Sequence, residues 1–264
     1  MKTPVYLIIL ITSVLMFSSC TNNNEWELAW ADEFNYKGLP DSTKWMYEYG
    51  PPYKNREKQF YEKENLKYSR VENGHLIIEA HKEKREGADY VSASLRTSGK
   101  KEFLYGRIEA RLKMPKGRGT WPAFWMLGTN IKDAGWPGCG ELDIMEYVGY
   151  DQEVVHANIH TTAFNHMAGT NKGDSIKVKK PYDQFHIYAM EWHKDKIDFF
   201  VDNEKYFTFE KPSDKVEEWP FNKPQFLIIN LAIGGNWGGK QGIDDSLFPH
   251  RYYIDYIRYY KKNN

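Results

Sequence analysis

The chain has 264 residues, and its 36 Lys and Arg balance 36 Asp and Glu, so the formal charge is zero at neutral pH. A hydrophobic fraction of 41% with 27% charged residues is globular composition, at a length that allows one large domain or two small ones. Neutrality without any Lys/Arg block excludes a dedicated nucleic-acid binder and leaves neutral or weakly polar partners.

At the N-terminus, Lys2 precedes an apolar run from Val5 to Phe17 that closes on Ser18-Ser19-Cys20. The run is too short to span a bilayer. It resembles a bacterial lipoprotein signal, which implies removal of residues 1–19, a lipid on Cys20, and residues 20–25 as a polar tether. An ordinary secretory signal cut nearby is the competing reading. The lipoprotein reading implies a chain anchored to the bacterial cell envelope that touches membrane through its lipid alone. With Cys20 lipidated, Cys139 has no partner for a disulfide. Cys139 then reads as a small buried hydrophobe, not a nucleophile.

Beyond the tether, period-2 segments dominate. Strands are expected at Leu76 to His81, Arg107 to Met114, Phe185 to Trp192, Ile197 to Val201, Tyr206 to Glu210, Gln225 to Ala232 and Tyr252 to Tyr260. In the second of these, Ile108, Ala110, Leu112 and Met114 face one way while Arg107, Glu109, Arg111 and Lys113 face the other. Asp202-Asn203 is a hairpin turn between two strands. No linker or repeat divides residues 26–264, so they form one all-β sandwich, and a curved sheet would offer a concave groove.

The segment Gly140-Glu141-Leu142-Asp143-Ile144-Met145-Glu146-Tyr147 carries three carboxylates interleaved with apolar residues. On a regular strand Glu141 and Asp143 share a face while Glu146 points into the apolar layer, where an unpaired charge is costly. One extra residue, a bulge near Ile144-Met145, puts all three acids in a row. Same-face neighbours then lie about 6–7 Å apart at Cα, and carboxyl groups can approach the ~5–5.5 Å of a retaining glycosidase pair. Like charges that close raise one another's pKa, so one partner stays protonated. The competing reading is a surface acidic strand that chelates Ca²⁺. Trp121, Trp125, Trp136 and Trp237 in adjoining segments favour a sugar groove instead, because aromatic faces stack on sugar rings.

Glu141-Leu142-Asp143-Ile144-Met145-Glu146 matches the E-x-D-x-x-E signature of glycoside hydrolase family 16, and the chain most resembles its laminarinase or endo-β-1,3(4)-glucanase branch. The resemblance extends through Trp30 to Phe34, Asn55 to Tyr61, Tyr105 to Arg111, Trp121 to Leu127, Asn230 to Trp237 and Ile254 to Arg258. It implies a β-jelly roll of two curved antiparallel sheets, with the acids on the concave face. It further implies a single glycoside hydrolase catalytic domain over 26–264, monomeric, acting on β-glucan polysaccharide without a catalytic cofactor. Glu141 would be the nucleophile, Glu146 the general acid/base, and Asp143 the residue that holds and tunes the nucleophile. Asn55, Arg96, Trp121, Trp125, Trp136, His160 and Trp237 would line the sugar subsites. A hydrogen-bonded strand histidine is the alternative for His160, and pairing with an acid the alternative for Arg96. The resemblance also implies a structural Ca²⁺ on Glu33, the Gly74 carbonyl and Asp255, away from catalysis; pairing of Glu33 and Asp255 with nearby Arg or Lys is the alternative. Where the branch often has a Gly-rich segment, this chain has Thr161 to Met167, so linkage preference is open. Two other functions remain: hydrolysis of agar- or carrageenan-like galactans, and non-catalytic sugar binding on the same fold.

Overall fold

The computed structural model describes residues 25–51 and 54–263. The signal, Cys20 and all of the tether except Glu25 lie outside the described residues. In chain order the first strands are β1 (Trp26–Asp32), β2 (Met46–Tyr47), β3 (Gln59–Tyr61), β4 (Ser69–Glu72), β5 (His75–Arg85), β6 (Ala88–Ser92) and β7 (Ser94–Arg96). After β8 (Gly106–Lys113) and β9 (Thr120–Gly128) comes a short helix, α1 (Ile131–Ala134), then β10 (Glu141–Tyr147), β11 (Val154–His160) and β12 (Lys172–Lys177). The remainder are β13 (His186–Trp192), β14 (Lys196–Val201), β15 (Glu204–Glu210), β16 (Gln225–Ile233) and β17 (His250–Lys262). No helix among the described residues is long and apolar enough to cross a membrane.

These strands form the two-sheet jelly roll. One sheet runs β15-β14-β13-β8-β17-β5-β6-β3, with β1 also on β17 and β4 also on β5; the other runs β12-β11-β10-β9-β16-β7-β2. Pairing is antiparallel except between β3 and β6. Each strand expected from period-2 alternation is present, with ends shifted by a few residues. Asp202 and Asn203 join β14 to β15, both at positive φ, as a tight hairpin requires.

The alternation on β8 has the expected physical basis. Ile108, Ala110 and Leu112 enter the core between the sheets, and on the opposite face Arg107 pairs with Glu109 at 3.0 Å and with Glu191 at 2.9 Å. From the facing sheet, Leu142, Ile144 and Met145 of β10 and Leu227, Ile229 and Leu231 of β16 fill the same core. Each such side chain, fully buried, contributes roughly 1.5–3 kcal/mol.

A second apolar cluster lies on the other face of the seven-stranded sheet, formed by Ala123, Trp125, Leu127, Cys139, Phe226 and Ile228. It explains why β9 and β16 read as nearly continuous apolar runs. Phe124 and Met126 face the core while Trp125 and Leu127 face outward, so neither face is polar. That outward face is the floor of a groove.

Candidate active site

β10 lies between β9 and β11 in the groove-bearing sheet. Gly140 leads into it at φ +79°, and a Cβ there would sit 2.8 Å from Phe221 and Pro220, so the turn into the strand requires glycine. Along β10 the register slips between Asp143 and Glu146 against β11, and between Asp143 and Met145 against β9. This is the expected bulge. Its effect is that Ile144 and Met145 both enter the core while Glu141, Asp143 and Glu146 all face the groove.

Each outer acid is held by an indole. Trp136 Nε1 donates to Glu141 Oε2 at 2.9 Å, and Trp121 Nε1 donates to Glu146 Oε1 at 3.0 Å. His160 lies under the first two acids, its Nε2 3.3 Å from Asp143 Oδ2 and 3.7 Å from Glu141 Oε1. Glu141 is pushed up to about 8 by burial and by the charge of Asp143, against the pull of His160 and Lys54. Glu146 is also pushed up to about 8 by burial and Asp143, with hydrogen bonds from Trp121 and Asn158 opposing. Burial raises Asp143 to about 8 as well. Acids this close share their protons as one coupled group, so ionised and protonated members coexist near neutrality.

The groove encloses about 620 Å³, and the sequence-derived residues Asn55, Arg96, Trp121, Trp125 and Trp136 line it together with the acids. Trp125 Nε1 donates to Asn230 Oδ1 at 2.8 Å, and Lys54 Nζ sits 4.4 Å from the Trp125 ring centre. Two expected residues lie elsewhere. His160 is 4% exposed and supports the acids from below, without lining the groove. Trp237 stands beyond Trp121, its ring centre 5.4 Å from that indole and 4.9 Å from His156, flanking the groove. Arg96 Nε has no hydrogen-bond partner, so the acid pairing offered as its alternative does not occupy that atom.

Lys54, Glu57, Asn230, His166 and Met167 also line the groove and were not singled out as site residues. Glu57 and Asn230 stand inside quoted family segments, but nothing in their local pattern separates a groove residue from a structural one. His166 and Met167 sit in the segment that departs from the family. There Asn165 donates to the Thr161 and Thr162 carbonyls and fixes the loop.

The residues expected to hold Ca²⁺ are otherwise engaged. Arg258 binds Glu33 through both carboxylate oxygens, at 2.7 and 2.9 Å. Arg111 binds Asp255 at 2.6 Å, and His75 Nε2 is 3.7 Å from its other oxygen. With both carboxylates neutralised by arginine, the donor set does not fit a hard dication.

Comparison with known proteins agrees with this geometry. The model of "Glycosyl hydrolases family 16" matches residues 54–258. A Rhodothermus marinus beta-glucanase is 44% identical across 99% of this chain and 95% of its own. The X-ray structure of the laminarinase from Rhodothermus marinus superposes with a TM-score of 0.88 at 46% identity, covering 90% of this chain and 98% of that one. A non-specific endo-β-1,3(4)-glucanase, crystallised as an E→S mutant with a bound glucan oligosaccharide, gives 0.88 at 41% identity over 90% and 96%. A groove floored by apolar side chains, a bulged row of acids and near full-length similarity lead to one conclusion: the chain belongs to family 16 of the glycosyl hydrolases.

Proposed function

We propose that this glycoside hydrolase cleaves β-glucans containing β-1,3 linkages internally and with retention of configuration. The observation that carries the reading is the bulged row itself, with Glu141 and Glu146 on one face, each oriented by an indole N–H. Its relatives' names, beta-glucanase, laminarinase and endo-β-1,3(4)-glucanase, support the substrate class. Ionised Glu141 attacks the anomeric carbon and forms a glycosyl ester while protonated Glu146 donates its proton to the leaving oxygen. Glu146, now ionised, takes a proton from water, which displaces Glu141 and restores the configuration. Asp143 and His160 act on Glu141, holding its carboxylate and balancing its charge. The Trp121, Trp125 and Trp136 rings supply stacking faces, and Asn55 and Arg96 supply polar contacts.

A sulfated galactan fits this groove poorly. Its wall carries only two basic side chains, Lys54 and Arg96, among Glu48, Glu57 and the three acids of β10, so it presents no basic cluster to hold sulfate. A panel of laminarin, barley β-glucan, agarose and carrageenan tests the substrate class by reducing-sugar release. Cleavage of a galactan with both glucans untouched would replace the reading. Glu141→Gln and Glu146→Gln each keep shape and remove only charge or proton, and each should lower kcat at least about 10²-fold. Activity within tenfold of the wild type in either would refute the assignment. Asp143→Asn should cost less, since it acts through Glu141.

The lipid anchor at Cys20, and with it attachment to the cell envelope, belongs to the same proposal and rests on the signal-like N-terminal sequence. The Ca²⁺ reading is not carried further, given the arginine pairs on Glu33 and Asp255.

A further inference from the structure

We propose that Glu141, Asp143 and His160 form a binding site for one zinc-like divalent cation, and that its occupancy blocks the enzyme. The blocking half rests on Glu141 as nucleophile; the binding half does not.

Geometry comes first. One ligand atom from each of the three residues lies within 4.8 Å of the other two. His160 Nε2 is 3.3 Å from Asp143 Oδ2 and 3.7 Å from Glu141 Oε1. Zinc with bonds of about 2.0–2.1 Å in tetrahedral arrangement requires ligand atoms roughly 3.3–3.4 Å apart. The trio therefore needs only small side-chain rotations to close on an ion. Trp136 holds Glu141 by Oε2, which leaves Oε1 on the His160 side. Glu141 also lines the groove, so the fourth position opens to water.

Satisfaction of polar groups points the same way. Asp143 is 3% exposed, yet its Oδ2 has no hydrogen-bond partner, and it is this oxygen that faces His160. A buried carboxylate oxygen without a donor is costly, and a cation relieves that cost directly. One imidazole nitrogen with two carboxylate oxygens suits Zn²⁺ or Cu²⁺ better than Mg²⁺ or Ca²⁺, which prefer more oxygens and higher coordination. His160 Nδ1 has no partner to orient the ring, which places the site among the reversible ones.

A second cluster, Glu191, His193 and Asp198, has similar spacing and serves as an internal control. Its acids are already paired, Glu191 with Arg107 at 2.9 Å and Asp198 with Lys196 at 2.7 Å and Lys205 at 3.5 Å.

Titration calorimetry with ZnCl₂, on protein without substrate, tests the binding. The expected result is one equivalent bound by the wild type, at least about tenfold weaker binding in both Asp143→Asn and His160→Gln, and no change in His193→Gln. MgCl₂ at the same concentrations should give no isotherm. A rise in Tm with Zn²⁺ should accompany binding and be lost in the same two variants. If one variant fails to fold by circular dichroism, the other decides. No binding by the wild type, or undiminished binding by the folded variants, overturns the inference. An enzyme inert toward every glucan in metal-free buffer would instead sink the functional reading and leave the isotherm standing. Zinc that binds without slowing glucan hydrolysis would overturn the blocking half.

Discussion

Replacing Trp136 by Phe removes the N–H that holds Glu141 Oε2 at 2.9 Å while keeping an aromatic ring in the groove wall. A hydrogen bond to a charged group is worth about 1.5–3 kcal/mol, and one pKa unit corresponds to about 1.4 kcal/mol, so the upper bound is a shift of roughly one to two units. Glu141 keeps 15% of its side chain exposed at the groove, and water there takes over part of the lost donation. The expected shift is therefore about half a unit to one unit. Its sign is fixed: the carboxylate loses a donor, its acid form persists to higher pH, and the acid limb of kcat/KM, which follows ionisation of the nucleophile, moves up. Trp121→Phe is the counterpart, because it removes the donor to Glu146 Oε1. In the proposed mechanism Glu146 is protonated at the start of the reaction, so there the alkaline limb moves up. Initial rates of reducing-sugar release from laminarin, below KM and between pH 4 and 9, separate the two limbs. If both variants move the same limb, or Trp136→Phe leaves the acid limb in place, the assignment of nucleophile and acid to these two positions is wrong. An exchange of limbs would mean that the roles are reversed.

Glu146→Gln should also stabilise the protein in a pH-dependent way. Its carboxyl is near 4.3 unfolded and pushed up to about 8 by burial and Asp143 when folded, so ionisation costs the folded state nothing below about pH 4 and increasingly more up to pH 8. The Tm difference between variant and wild type should be near zero at pH 4.5 and reach at least ~2 °C at pH 8.5, at about 2–4 °C per kcal/mol for a domain of this size; a difference that is flat or shrinks with pH refutes the coupling. Proton NMR of a fresh digest should show the β-anomer first, whereas an initial α-anomer would mean inversion and a carboxylate gap of roughly 6.5–9.5 Å. Full-length protein made in bacteria should partition with membranes, and Cys20→Ala should release it or block its maturation; a soluble wild-type product that does not begin at Cys20 would end the lipoprotein reading.

Most strands legible in the sequence carry polar side chains on one face; β16 is the exception, read as a strand although Phe226 and Ile228 floor the groove while Leu227 and Ile229 fill the core. β8 alternates because on one side Arg107 forms ion pairs with Glu109 and Glu191, while Ile108 and Ala110 meet the core on the other. β9 was not read from its pattern: Trp125 and Leu127 floor the groove as Phe124 and Met126 fill the core, and a strand apolar on both faces carries only a weak period. β10 was legible for the opposite reason. Its acids broke the alternation, and the cost of placing Glu146 in the core forced a bulge that both neighbouring registers show. What pattern could not supply was depth. His160 pairs with Glu141 across β10 and β11, a register set by long-range pairing, so its place beneath the acids, not at the groove wall, is a tertiary fact. Which arginines would pair with Glu33 and Asp255 was hidden likewise. Arg258 lies 225 positions from Glu33 in the chain, and Arg111 lies 144 from Asp255.

The same bulge links stability to chemistry. Three acids raised together are a net cost to folding at neutral pH, which the indole N–H donors and the field of His160 and Lys54 offset only in part, and Asp143 Oδ2 has no hydrogen bond at all. A further offset lies on the other side of the strand. Leu142, Ile144, Met145 and Tyr147 are each at most 1% exposed in the inter-sheet core, and at roughly 1.5–3 kcal/mol apiece for Leu, Ile and Met their burial works against the cost of the acid row. Taking both Ile144 and Met145 into the core requires the extra residue, and the extra residue brings Glu146 round to the groove. A regular β10 would lose one of those apolar side chains from the core and drive a carboxylate into it, so the arrangement that packs best is also the one that lines up the acids.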